Sequence, residues 1–221
     1  KYLNEDRDAE ETVSAYLPEI VSTLCFIGGQ KAVEPLIAFV KRQSKSKSEF
    51  DARNAALIHL GDLINRTDNE KALGFLMSIA KGRESTGKLI TSQLQQAQMS
   101  AAKDDETVAP SASELIDELA VSATQGLAIS GKESAEKFLA ILKDTGNVTG
   151  GIVSPAVNQA AAQAEEFCKC AREEGLEALY ERLDSHHEMA EPAAAEGGDS
   201  VDVPATVDLP AAAGPAGGAD A

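Results

Sequence analysis

A ten-residue segment that recurs three times constrains the fold of this chain more than any other feature. The copies span residues 32–41, 72–81 and 135–144, and they align without gaps. Each copy has alanine, then leucine four residues later and a bulky apolar residue seven residues later, with lysine near its end. Since these positions share one face of an α-helix, each copy predicts a helix with one buried side. The predicted core positions are Ala32, Leu36, Phe39, Ala72, Leu76, Ile79, Ala135, Leu139 and Leu142.

Helical periodicity extends over most of the remaining sequence. The chain holds 3 Tyr, 6 Phe and no Trp, so aliphatic side chains must build its core, which favours helix packing over an aromatic-filled sandwich. Ser154 followed by Pro155 is a helix-start signal, and Gly175 separates that helix from a further apolar pattern. The predicted helices cover residues 6–27 with a break at Pro18, 31–42, 50–64, 70–81, 86–99, 113–129, 134–143 and a final stretch from 154.

Glycines precede the repeated segments at related distances. Gly28 and Gly131 lie four residues before the repeat alanine, whereas Gly61 lies eleven before it, so we expect a seven-residue insertion in the second copy. This pattern resembles the HEAT-repeat family of armadillo-like α-solenoids. Residues 53–61 match the sequence pattern of that family best. The alanines are 40 and then 63 residues apart, and the longer spacing leaves room for an inserted helix and linker near 86–111. A generic helical bundle is the alternative.

The resemblance implies an all-α fold, a short α-solenoid of about three HEAT-like helix pairs followed by a C-terminal helix. Composition changes near Glu188. From there to the end, 20 of 34 residues are Ala, Pro or Gly, and seven acids occur without any Lys or Arg. We therefore expect a helical domain over residues 1–187 and a disordered acidic tail over 188–221.

Charge restricts the partners. The 20 basic and 36 acidic residues leave a formal net charge of −16, which argues against a nucleic-acid partner, since binding phosphates requires a basic surface. No apolar run is long enough for a membrane span. A Ser-rich loop contains four cations, Lys41, Arg42, Lys45 and Lys47. We expect them to form a patch that contacts an acidic partner or the chain's own acidic tail. The alternative is a solvated loop without a binding role.

The sequence predicts no catalytic site, no cofactor and no metal. His59 lies within a helix and is expected to be structural, while His186 and His187 follow the Cys168-Lys-Cys170 triplet by sixteen to nineteen residues. A helix points two such cysteines about 200° apart, which is unlike the turns that hold structural zinc. We therefore expect Cys168 to be buried and Cys170 to face outward.

These features favour a non-enzymatic adaptor or scaffold that presents a curved solenoid surface to another protein. An enzyme of the bilin lyase-like type is one alternative, and a DNA-repair glycosylase-like role is disfavoured by the missing Trp and the negative charge. A self-associating protein that dimerises through the Ala-rich helix of residues 157–171 is another. The chain begins with Lys1, so we expect a processed product or a fragment, and its three cysteines slightly favour the cytoplasm.

Overall fold

The structure, a computed structural model, describes residues 16–44, 46–81, 110–145 and 153–190, with side chains as far as Leu183 in the last helix. These ranges contain α-helices and no strand, which confirms the all-helical fold class for them. The predicted helix 86–99, the linker after it and most of the acidic tail lie outside the described residues. The helices are α1 Leu17–Ile27, α2 Val33–Val40, α3 Lys47–Thr67, α4 Glu70–Lys81, α5 Ala112–Ser130, α6 Glu133–Thr145, α7 Pro155–Glu173 and α8 Leu176–Ala190.

Local capping sets where several helices begin. Ser46, Ser111 and Ser154 precede α3, α5 and α7, and each serine hydroxyl accepts a hydrogen bond from the backbone N–H three residues later. At α5 the Glu114 carboxylate also accepts from the Ser111 N–H, which completes a capping box. The predicted start of α7 at Ser154 is thus confirmed, and Pro18 lies in the first turn of α1.

Four helices pack side by side in chain order and form what we call the first row: α1, α3, α5 and α7. Neighbours run in the same direction, because Asn54 of α3 bonds Glu118 of α5 while Asn65, further along α3, bonds the carbonyl of Ser130 at the end of α5. At the next step, Gly131 at the end of α5 lies against the α7 backbone near Arg172. Equivalent ends therefore meet along the row.

Three shorter helices form a second row on the first: α2, α4 and α6. Helix α4 packs against α3 and α5, and α6 packs against α5 and α7, so each occupies the space between two first-row helices. Most of the predicted core positions fill this interface. Leu36, Phe39, Ala72, Leu76, Ile79, Ala135, Leu139 and Leu142 are all buried, whereas Ala32 is half-buried at the end of the 3₁₀ turn Gly29–Ala32.

Gly61 does not have the turn role that the sequence predicts. It lies inside α3, where an added Cβ would be 2.2 Å from the carbonyl oxygen of Gly126 in α5. The chain turns instead at Asp68, whose φ of 52° is left-handed, as is the φ of 60° at Gly131. Asp68 precedes Ala72 by four residues, the same distance as Gly131 to Ala135, so the expected seven-residue insertion is wrong. The error arose because Asp replaces Gly at the turn.

Helix α7 is covered on two sides. On its Ala-rich face, Val157, Ala161, Ala164 and Cys168 are buried in the main core, and Ala160 is half-buried, so a homodimer would have to use other residues of this helix. Cys170 was expected to face outward, but it is only 3% exposed, because Leu179 and Leu176 of α8 pack over it. In the described part of the chain, no helix has the length and apolar character needed to cross a membrane.

Candidate functional site

The predicted cationic patch spans the end of α2 and the start of α3. Lys41 is exposed, and its Nζ lies 5.5 Å from the centroid of the Phe75 ring in α4. Arg42 is half-buried, Lys47 is exposed in the first turn of α3, and Lys45 lies outside the described residues. The structure therefore places three of the four predicted cations around one loop, with Lys41 at the edge of the second row.

A buried arginine, which the sequence analysis missed, fixes this loop. Arg53 is 1% exposed, and its guanidinium donates to the carbonyl oxygens of Glu49 at 2.9 Å and Gln43 at 3.0 Å. It also lies 5.0 Å from the centroid of the Phe39 ring. Burial lowers the pKa of Arg53 to about 10, so the side chain remains charged at neutral pH. Its bond to Gln43 ties the loop to α3, and its contact with the Phe39 ring joins α3 to α2.

Carboxylates partly offset the positive charge on the side of the cationic patch that faces the first row. Lys47 faces Asp51 on its own helix and Glu118 on α5, and burial raises the pKa of both carboxyl groups, an effect that Lys47 partly opposes. The Asn54 amide donates to Glu118 at 2.8 Å and accepts from Ser122 at 3.0 Å. The loop is consequently less positive toward the first row than its sequence indicates.

The second row has an outward face that none of the described helices covers; we call it the open face. Ile141 of α6 is 66% exposed there, and Phe75 and Phe138 are half-buried at its base. Gly74 and Ala38 are exposed on the same side of their helices, and nothing lies within 4 Å of a Cβ built on Gly74. Two ion pairs lie on this face, since Lys71 is 2.6 Å from the Glu34 carboxylate and Lys137 is 2.6 Å from the Glu133 carboxylate. The face is therefore weakly charged and partly apolar.

His59 belongs to a hydrogen-bonded group that joins α8 to α3. Its Nδ1 lies 3.3 Å from one carboxylate oxygen of Asp62, and the Tyr180 hydroxyl donates to the other at 2.7 Å. Burial, followed by the bond to Asp62, raises the pKa of the Tyr180 phenol. The described residues contain no group of three or more potential metal ligands, and the side chains of His186 and His187 lie outside them. These hydrogen bonds attach α8 to α3.

The three cysteines are poor nucleophiles in this fold. All of them are buried, and burial raises the pKa of the thiol to about 12 for Cys25 and about 11 for Cys168. Burial also raises the pKa of Cys170. Because the reactive form of cysteine is the thiolate, these side chains remain protonated and unreactive at neutral pH.

A cavity of about 290 Å³ opens on the other side of the first row, between that row and α8. Sequence analysis did not anticipate it, because its wall combines positions from four helices. Among the residues whose side chains the structure describes, nine apolar side chains and two glutamines line it, and none of these residues is charged. They are Ile58, Val121, Gln125, Ala128, Ile129, Ala160, Gln163, Ala164, Phe167, Leu179 and Leu183.

Comparisons of the chain with protein-family models, with curated proteins and with solved structures find no match. The resemblance to HEAT repeats therefore has no support from these comparisons and stays a prediction. Two surfaces of the described residues remain candidates for function: the open face of the second row and the cavity beneath α8.

Proposed function

We propose that this chain is a non-enzymatic protein-interaction module built from three HEAT-like helix pairs, and that another protein docks on the open face. The pairs are α1 with α2, α3 with α4, and α5 with α6; α7 then closes the first row. The single observation that carries the proposal is the open face itself, an exposed and partly apolar surface made by equivalent helices of successive pairs.

The order of contacts supports a stack of repeats. Each first-row helix packs against the next in chain order; α4 and α6 each pack between two first-row helices, and α2 packs against α3. Helix pairs that repeat in this way bury their apolar faces against neighbours, as solenoid repeats do. The left-handed turns at Asp68 and Gly131, each four residues before a buried alanine, support the equivalence of the second and third pairs.

Chemistry at the open face favours a protein partner. Exposed apolar side chains rimmed by polar groups are typical of protein-binding surfaces, and Ile141 stands here beside the half-buried Phe138. Small residues at Ala38 and Gly74 allow an incoming side chain to approach the helices closely. Lys41, held over Phe75, supplies a cation at the rim. A partner segment with apolar anchors and a few acidic side chains fits these features.

Arguments against an enzyme come from the side chains that could carry catalysis. The cysteines are buried with raised thiol pKa values, and the carboxylate beside His59 is shared with Tyr180. These groups hold helices together. On the open face, the Ser78 hydroxyl donates to the carbonyl oxygen of Phe75 in its own helix.

Site-specific photocrosslinking tests the proposal. A benzophenone amino acid at Ser78, on the open face, should give a discrete covalent adduct in the native lysate, whereas the same label at the exposed Gln159 of α7 should not. Replacing Ile141 by Asp should abolish the Ser78 adduct. Ile27→Asp is the matched control, since Ile27 is 70% exposed and lies on α1, so this variant should keep the adduct.

Two results would contradict the docking site. One is labelling of equal strength at Ser78 and Gln159; the other is an adduct that persists in the Ile141→Asp variant while circular dichroism shows that the variant is folded. Either would mean that the open face is not the surface through which the partner binds.

A further inference from the structure

The cavity beneath α8 is formed by four helices that are distant in sequence. Ile58 comes from α3, Val121 from α5, Phe167 from α7 and Leu179 from α8. Its floor is almost closed to solvent, since Ala164 is 3% exposed and Leu179 is 1% exposed. Gln125 and Gln163 are exposed and lie at its mouth. The cavity is thus an apolar recess with an amide-lined opening.

Its size suits a small organic molecule. A volume of about 290 Å³ is close to the lower end of the range for ligand pockets, roughly 300–1,000 Å³. It is about twice the volume of an engineered apolar cavity of about 150 Å³ that binds benzene. A molecule with two aromatic rings, or an aliphatic chain of similar volume, therefore fits the space.

The lining also selects against charge. None of the eleven lining residues is ionisable, so a charged ligand would lose its hydration without gaining an opposite charge. The chain's net charge of −16 further disfavours an anion. Glutamine side chains both donate and accept hydrogen bonds, so Gln125 and Gln163 can bind one polar group of a molecule whose remainder is apolar.

We infer that this cavity is a binding site for a small, neutral and largely apolar molecule of about two-ring size, whose polar group reaches the amides of Gln125 and Gln163. Helix α8 forms one wall through Leu179 and Leu183, and the Tyr180–Asp62 hydrogen bond of 2.7 Å holds that wall in place. Occupancy therefore stabilises α8 on the body, because a ligand that binds only the folded arrangement favours it. The site shares no residue with the open face, so either proposal can fail alone.

A pair of fluorescent compounds with the same rings but different charge tests the requirement for a neutral ligand. 1-Naphthylamine is uncharged in neutral solution, has two fused rings and N–H donors, and fits the volume; 5-amino-1-naphthalenesulfonate has the same rings and amine with a sulfonate. The full chain should bind the neutral compound saturably with one site, and the sulfonate at least about tenfold more weakly, since its charge finds no partner. Equal binding of both compounds would overturn the inference, because it would indicate a non-selective apolar surface.

Variants locate the bound compound. Ala160→Phe places a phenyl ring in the recess and should weaken binding at least about tenfold, because this side chain and the bound compound compete for the same volume. Ala156→Phe is the control, since Ala156 is exposed on the same helix one turn earlier and outside the lining. Unchanged binding in a folded Ala160→Phe variant would overturn the site.

Nuclear magnetic resonance of isoleucine methyl groups gives a test that needs no cavity-filling variant. In the wild-type chain, the methyl signals of Ile58 and Ile129 should shift on titration with 1-naphthylamine, and that of Ile141 should not, because Ile141 lies on the open face. Shifts confined to Ile141, or absent from both lining isoleucines at saturation, would contradict the assignment.

Discussion

Replacing Gly126 by Ala places a methyl carbon where the backbone of α3 already lies. The new Cβ would be 2.2 Å from the carbonyl oxygen of Leu57 and 3.1 Å from Cδ1 of Leu76. The reciprocal change, Gly61→Ala, brings Cβ equally close, 2.2 Å, to the carbonyl oxygen of Gly126. Both distances to backbone oxygen are more than 1 Å shorter than ordinary van der Waals contact, and a backbone carbonyl cannot rotate away. The two helices must therefore separate.

The size of the effect follows from two opposing contributions. In an unobstructed helix, Gly→Ala stabilises the fold by about 1 kcal/mol, because glycine loses more backbone entropy on folding. Overpacking a core costs about 1–3 kcal/mol and occasionally more, and here the obstacle is backbone, which places the cost at the upper end. We expect each variant to lose about 2 kcal/mol of unfolding free energy, which lowers the urea midpoint by about 1 M.

Gly74→Ala supplies the matched control, since Gly74 lies in α4 and nothing is within 4 Å of its added Cβ. This variant should be more stable than the wild type by roughly 0.5–1 kcal/mol. Urea unfolding followed by circular dichroism measures all three variants. If Gly61→Ala or Gly126→Ala proved as stable as Gly74→Ala, the close approach of α3 and α5 would be refuted, together with the alignment of the first row.

Three further predictions concern a cap, a carboxyl group and a thiol. Ser111→Ala should cost about 1 kcal/mol in urea unfolding, because it removes the acceptor for the Glu114 N–H; no loss would contradict the capping box. Glu118→Gln keeps an acceptor for Asn54 but removes a carboxyl whose pKa burial raises. A raised carboxyl pKa stabilises the fold at low pH, and this contribution is lost as pH rises above 4.5. The stability of the variant relative to the wild type should therefore increase as pH rises from that value; a difference that stays constant with pH would argue against a buried carboxyl. Cys170 should resist a thiol reagent in the intact chain and react once α8 is deleted after Glu174, and rapid labelling of the intact chain would show that α8 does not cover it.

Much of the secondary structure could be predicted because its causes are local. Apolar spacing predicts the start of α5 at residue 113, one residue after the observed start, and Ser154 followed by Pro155 marks the start of α7. The sequence predicts the start of α3 at Phe50 rather than Lys47, because the three residues before Phe50 are polar and the apolar pattern begins with it. Composition and charge do not mark such a boundary, whereas the Ser46 cap does.

The candidate sites could not be predicted in the same way, because they depend on contacts between distant residues. The cationic loop was recognised, but Glu118, which partly offsets Lys47, lies on a helix that follows more than 60 residues later. Cys170 was misplaced because α7 has a second buried side, and only the return of α8 covers it. A single helical stripe in the sequence therefore cannot reveal whether a helix has one neighbour or several.

The two sides of the first row differ in how completely they are filled, and this difference bears on function. Leucines of the second row, such as Leu76 and Leu139, pack with no exposure, whereas α8 leaves a recess of about 290 Å³. A closed, dry void of that volume would cost about 7 kcal/mol at roughly 24 cal/mol per Å³, which is comparable to the whole stability of an ordinary domain. The chain avoids this cost because the recess opens between Gln125 and Gln163, where water or a ligand can enter. An Ala160→Phe variant should therefore fold at least as stably as the wild type while excluding the ligand, which separates the binding role of the recess from its contribution to stability.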